Sequence, residues 1–270
     1  MTPSAPPAVS TLSPSRASLG RLEGKRAVVT GSTSGIGEAI ARALAAEGAH
    51  VLVSGRDTAR GDTVVRLIRD AGGRSDFLAV DLAGSYDQIR RFAADAEALL
   101  EDRVDILVNN AGIYPATSTA GLEDADLDAM LAVNVRAPHV LAGSILPGMA
   151  ARGGGSVINV GSWMAGVGTP YAGMYTATKA ALEQLTRAWA AEFGPSGVRV
   201  NTLAPGATLT PGNEASREIL DAITAGTPAG AVVRPDDIAY GAVFLASDEA
   251  GMMHGSTLSI DGGISFTRLG

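Results

Sequence analysis

The feature that most constrains this 270-residue chain is a regular alternation of short apolar runs with helical stretches. Lys25–Thr30, His50–Ser54, Phe77–Val80, Val104–Val108, Ser156–Val160, Val198–Leu203 and Thr257–Ile260 read as strands. Between them, Glu38–Glu47, a stretch from Asp57 to Ala71, Asp126–Ala151, Tyr175–Phe193 and Asp236–Leu245 carry helical spacing. Asp57 and Ser85 stand where N-caps belong, and Gly72-Gly73 stops the second helix. Beyond Ser85, Ile89, Phe92, Ala96 and Leu99 fall on one helical face. Seven apolar strands separated by helices imply a parallel sheet covered on both faces, because a strand apolar throughout has no side to offer water. Right-handed crossovers then predict a three-layer, doubly wound α/β (Rossmann) fold with a seven-stranded parallel sheet. Ligands of such a sheet bind beyond the carboxyl ends of its strands, where strand order reverses.

Composition narrows the function. An apolar share of 46% with 18% charged residues excludes disorder throughout. Aromatic residues are only 4%, so the core is expected from Ala, Val, Leu and Ile. The absence of cysteine excludes a disulfide scaffold, a thiolate metal site and a cysteine nucleophile. A formal charge of 21 − 28 = −7 argues against nucleic-acid binding. His50, His139 and His254 show no metal-ligand spacing, so no metal is expected. Met1–Gly20, rich in Pro, Ser and Ala without an apolar core, reads as a disordered tail rather than a secretory signal. Residues 21–270 then form one domain. Gly153–Thr178 is uncharged but broken by Gly, Ser, Thr and Pro, and does not read as a membrane span. A soluble, cytoplasmic protein is expected.

Three sites on this framework carry chemistry. Thr30-Gly31-Ser32-Thr33-Ser34-Gly35-Ile36-Gly37 follows the first strand and opens the first helix. Glycines there permit a tight turn and bring backbone N–H groups against a pyrophosphate. A strand-to-helix turn with no ligand is the alternative, but placement after the first strand of an alternating βα chain favours nucleotide binding. The spacing is not that of a nucleoside-triphosphate P-loop, since no GK[ST] follows. The second strand ends Ser54-Gly55-Arg56-Asp57. With no acid at its tip, Arg56 is expected to clamp a 2′-phosphate, which favours NADP(H) over NAD(H). The alternative is a solvated Arg56 beside a helix-capping Asp57.

Tyr175 and Lys179 stand four apart on a helix and share a face. An ammonium close to a phenol would lower its pKa towards that of a useful general acid. The Asn109-Asn110-Ala111-Gly112 run follows strand four, Ser162 strand five and Pro205-Gly206 strand six, all at the same sheet edge. Ser162 lacks the GxSxG setting of a serine hydrolase.

In order and spacing these residues resemble the short-chain dehydrogenase/reductase family, in its single-domain branch, over Gly24–Gly263. The resemblance implies that Tyr175 exchanges a proton with the substrate oxygen. Lys179 would lower the Tyr175 pKa and bond the nicotinamide ribose. Ser162 would hold the carbonyl oxygen, and Asn134 would support a water relay. Gly31, Thr33, Ser34, Gly35, Ile36, Gly37, Asn109, Ala111, Gly112, Pro205 and Gly206 would surround the dinucleotide. Asp81 and Leu82 would border its adenine, with Thr208 or Thr210 near the carboxamide or a phosphate. The implied activity is interconversion of a ketone and a secondary alcohol with NAD(P)(H). Met164, Trp163, Tyr114 and Tyr171 are expected to line an apolar substrate pocket, and the stretch from Thr210 to Thr227 to form a lid. A 3-oxoacyl-carrier-protein reductase is the alternative, weakened because Ala190 and Ala191 precede Glu192 where such enzymes tend to carry Arg. A non-catalytic dinucleotide sensor of the same fold is a second, and would commonly lack Tyr, Lys or Ser. Ala-rich faces on the helices at Asp126–Ala151 and Tyr175–Phe193, with the resemblance, imply a homotetramer.

Overall fold

A computed structural model describes residues 20–267; the expected tail, up to residue 19, and residues 268–270 lie outside the described residues. The strands are β1 Arg26–Val29, β2 His50–Gly55, β3 Arg74–Ala79, β4 Ile106–Asn109, β5 Gly155–Val160, β6 Val198–Pro205 and β7 Thr257–Ile260. They form one parallel sheet in the order β3-β2-β1-β4-β5-β6-β7. Chain direction across the sheet reverses between β1 and β4, where Val28 pairs with both Leu52 and Leu107.

Among the described residues are eight α-helices, most of which pack on the two faces of the sheet: α1 Gly35–Ala46, α2 Thr58–Asp70, α3 Tyr86–Leu99, α4 Asp124–Leu131, α5 Ala137–Ala151, α6 Gly173–Phe193, α7 Arg217–Thr224 and α8 Pro235–Ala246. Alternation along each strand explains why the strands read as unbroken apolar runs. Val29, Val51 and Val108 face a core shared with Ile40 and Leu44 of α1 and Ile238 and Leu245 of α8. Val28, Leu52 and Leu107 face a second core built with Ile89, Leu141, Ile145 and Leu182 of α3, α5 and α6. The expected caps form. Asp57 accepts from the Arg60 N–H at 3.0 Å, and Ser85 and Gln88 cap each other reciprocally.

Two elements differ from expectation. β3 begins at Arg74 rather than Phe77. It is an edge strand, so its polar first half, Arg74, Ser75 and Asp76, pairs with β2 without needing an apolar face. The long helix begins at Asp124 and is wound wider over Ala132–Arg136, a π turn between α4 and α5. Asp124–Ala151 is long and apolar enough to cross a membrane by length and composition, but 56% of its most apolar window is buried inside the fold.

Candidate active site

The switch between β1 and β4 opens into a cleft of about 710 Å³. Thr30 ties its two sides together. Its hydroxyl donates to Val108 O and accepts the N–H groups of Asn110 and Ala111 at 3.0 and 3.1 Å. The Asn110 amide closes the clamp by donating to Thr30 O and Gly31 O at 2.9 and 3.0 Å. Gly31 is obligatory in this packing, with φ at +63° and any Cβ only 2.8 Å from Cα of Ala111. At Gly37 a Cβ would meet Asn110 Nδ2 at 2.4 Å, so the loop after β4 can seat on α1 only with glycine there.

Of the residues expected at a dinucleotide, Gly31, Thr33, Ser34, Arg56, Asp81, Leu82, Ala111 and Gly112 line this cleft. Gly35, Ile36 and Gly37 form the first turn of α1, whose N-cap Ser34 makes no side-chain capping bond. A twelve-residue helix with an uncapped first turn, beside an exposed Arg56, fits a diphosphate and a further phosphate. Pro205 ends β6, and Gly206 donates to Ile260 O. Thr208 turns its hydroxyl back to Gly206 O, whereas Thr210 lies over the glycine turn, 3.3 Å from where a Cβ on Gly35 would stand.

Asn109 is placed differently. It is the last residue of β4, buried, and donates to Asn159 Oδ1 at 2.8 Å, and Asn159 donates in turn to Thr186 Oγ1. It therefore braces β4, β5 and α6, and its neighbour Asn110 lines the cleft. Strand alternation carried one residue further would have identified Asn110. Arg60, Ile113 and Val133 also line the cleft and were not anticipated. Arg60 lies one helical turn beyond Arg56 and pairs with Asp57 at 3.2 Å.

Ser162, Tyr175 and Lys179 converge beside this cleft. Ser162 follows β5; its hydroxyl accepts the Met164 N–H at 3.1 Å and stands close enough to the Tyr175 phenol to favour its ionised form. Lys179, one turn along α6, is buried and donates to Val160 O at 2.8 Å. A Cβ on Gly112 would lie 3.4 Å from Lys179 Nζ and 3.5 Å from Asn134 Oδ1, which places both against the cleft wall. Asn134 sits in the π turn, fully buried. Its Oδ1 accepts the Ile113 N–H at 2.9 Å, and its Nδ2 donates to Ile113 O and Thr178 Oγ1. The widened turn aims this side chain at the β4 loop, a frequent use of π turns at functional sites.

The electrostatics correct one expectation. Burial pushes the Tyr175 phenol above its ordinary value, only partly offset by Ser162 and reinforced by Tyr114. Burial also lowers Lys179, to about 8. The ammonium stands 5.8 Å from the Tyr175 ring centre and spends a proton on Val160 O, so it does not lower the phenol as the i,i+4 spacing suggested. Tyr114 packs edge-on to Tyr175, ring centres 4.6 Å apart. Tyr171 is exposed and Met164 half-buried, both on the segment between β5 and α6. Among the described residues, no group of three or more His, Asp or Glu side chains is placed to hold a metal ion.

Comparison with known proteins follows the same lines. A family model described as enoyl-(acyl carrier protein) reductase matches residues 31–265. A solved short-chain dehydrogenase/reductase family protein shares 44% identity with a TM-score of 0.83, over 92% of this chain and 100% of that one. D-threitol dehydrogenase of Mycolicibacterium smegmatis is 37% identical over 245 residues, 90% of this chain and 94% of its own length. Gluconate 5-dehydrogenase from Burkholderia cenocepacia J2315, solved with NADP and tartrate, is 35% identical with a TM-score of 0.86, covering 93% of this chain and 99% of its own.

Proposed function

The chain belongs to the short-chain dehydrogenase/reductase family, and on that premise we propose that it interconverts a ketone and a secondary alcohol, with NADP(H) preferred to NAD(H). The observation that carries this reading is that Ser162, Tyr175 and Lys179 stand together beside the cleft, with the Lys179 ammonium against its lining residue Gly112. A bound nicotinamide dinucleotide would supply or accept the hydride. The chain's own residues handle the oxygen. Tyr175 gives its proton to the carbonyl oxygen during reduction and takes one from the hydroxyl during oxidation. Ser162, beside that phenol, donates to the same oxygen and stabilises the charge that develops on it.

Lys179 serves as the cation beside the nicotinamide end of the cleft. Asn134 fixes the backbone at Ile113 and supports proton return through water. The uncapped first turn of α1 takes the diphosphate, Asp81 and Leu82 border the adenine, and Arg56 takes the 2′-phosphate. The same reading places one catalytic domain from residue 21 onward, a cytoplasmic location, and a homotetramer packed through α5 and α6. Light scattering after size exclusion tests the last point.

The central test follows nicotinamide absorbance with NADPH and a broad ketone panel, in wild type and Tyr175→Phe. We expect turnover in wild type. In the variant we expect roughly 10²–10⁴-fold less, with NADPH affinity retained in a fluorescence titration. A variant within tenfold of wild type would falsify the proton-donor role.

A further inference from the structure

The two loops that frame Tyr175 have an unusual property: neither carries a charge. Residues 110–122, after β4, and 161–178, from the end of β5 into α6, contain no Asp, Glu, Lys or Arg. What they present is aromatic. Tyr114 lies 4.6 Å from Tyr175, centre to centre, at an interplanar angle of 67°, and keeps half of its surface exposed. Tyr171 is 68% exposed on the opposite segment, with Trp163 and Met164 half-buried beside Ser162.

The charged groups nearby cannot serve an anionic substrate. Lys179 is buried and bonded to Val160 O. Arg217, the basic residue of α7, pairs with Glu214 and faces α1 across a separate groove lined by Gly35, Arg42 and Arg234. The helix that follows the Tyr114 loop, α4, packs beside α6 and opens with Glu123, Asp124, Asp126 and Asp128, all exposed. A carboxylate or phosphate would therefore find no cation on either loop, and the helix that follows the Tyr114 loop adds four exposed acids of like charge. The same acids, and a net charge of −7, would repel an acidic carrier protein.

Resting on the proposed ketone–alcohol chemistry, we infer that the site takes uncharged, ring-bearing ketones and secondary alcohols, with Tyr114 as the aromatic wall that selects the ring. A saturated ring laid against Tyr114 buries its C–H face on the π surface while its oxygen reaches Ser162 and Tyr175. An open chain loses most of that contact, and a carboxylated ring loses it to desolvation and repulsion.

The test compares cyclohexanone, an open-chain ketone of equal carbon count, and the same ring carrying a carboxylate, in wild type, Tyr114→Ala and Tyr114→Phe. In wild type, kcat/KM should be at least about tenfold higher for the neutral ring than for either competitor. Tyr114→Ala should raise KM for the ring by about tenfold, with a smaller change in kcat, and collapse the ring-to-chain ratio. Tyr114→Phe should keep both. Wild type preferring the carboxylated ring overturns the inference, and so does an unchanged ring-to-chain ratio in Tyr114→Ala. The wild-type arm decides the charge question even if Tyr114→Ala does not fold. Failure to reduce any ketone would instead bring down the proposed chemistry, and this inference with it.

Discussion

Lys179 Nζ donates to the carbonyl oxygen of Val160, the last residue of β5, at 2.8 Å. The bond locks the first turns of α6 against the strand end from which Ser162 projects. It sets the register between the serine and the phenol four residues upstream of the lysine. It also keeps an amine in a place where water cannot solvate it, and its pKa falls to about 8.

That displacement makes a prediction about stability. In the unfolded chain the amine titrates near 10.5, so between about pH 8 and 10.5 the unfolded state binds more protons. The penalty for burying the ammonium is therefore complete below pH 8 and is relieved as pH rises towards 10.5. It amounts to about 3 kcal/mol at most. Lys179→Met removes the charge at similar length and gives up one hydrogen bond, about 1 kcal/mol. The variant should melt higher than wild type at about pH 7, and the gain should shrink or vanish at about pH 9.5. Paired thermal melts at the two pH values check this. A lower Tm for the variant at neutral pH would show that the amine is a net stabiliser.

The phenol makes a prediction about rate. Burial holds Tyr175 protonated above its ordinary range, which suits it to giving a proton and hinders it from taking one. Ketone reduction should be level through neutral pH, whereas alcohol oxidation should climb steadily into the alkaline range. Profiles of kcat/KM in both directions will show it, and an oxidation profile that is flat above neutrality counts against Tyr175 as the base.

Much of this architecture is legible in the sequence because a buried parallel strand must be apolar on both sides, as Val28 and Val29 are towards the two cores. The caps at Asp57 and Ser85 are equally local, since each depends on residues three positions away. What escaped was set by tertiary contacts. Nothing in Ala132–Arg136 announces a π turn; its wide winding places Asn134 where Ile113 and Thr178, distant in sequence, satisfy its amide. The polar start of β3 is tolerated only because the strand is at an edge. The shared helical face of Tyr175 and Lys179 was correct, but their proton affinities follow from burial, which i,i+4 spacing does not encode.

Two neighbouring asparagines should separate stability from binding. Asn109→Ala breaks a buried chain running through Asn159 and Thr186 to Thr202, leaving an acceptor unpaired. A loss of about 1–3 kcal/mol in urea unfolding is expected. Asn110→Ala instead unclamps the loop from Thr30 and Gly31 at the cleft. Its signature should be weaker dinucleotide binding by calorimetry with a smaller stability loss. If the two variants behave alike, the division of labour between them is wrong.

At the far end of the cleft two guanidiniums stand together. Arg56 follows β2 and Arg60 lies one helical turn on, both exposed and both lining the cleft. A 2′-phosphate would gain a planar, charge-assisted fork from Arg56, while a bare 2′-hydroxyl would gain little from either. Arg60 is held at 3.2 Å by Asp57, so it is the weaker candidate for the phosphate. Arg56→Asp replaces the fork with an acceptor that favours the hydroxyl and repels the phosphate. The ratio of kcat/KM for NADPH over NADH should then fall by at least about tenfold, mostly through KM for NADPH. Arg60→Ala should move that ratio much less. Raising salt should narrow the wild-type preference, because an exposed phosphate–guanidinium contact is screened. If Arg56→Asp leaves the ratio where it was, then Arg56 is a solvated side chain and the preference, if any, arises elsewhere along the cleft.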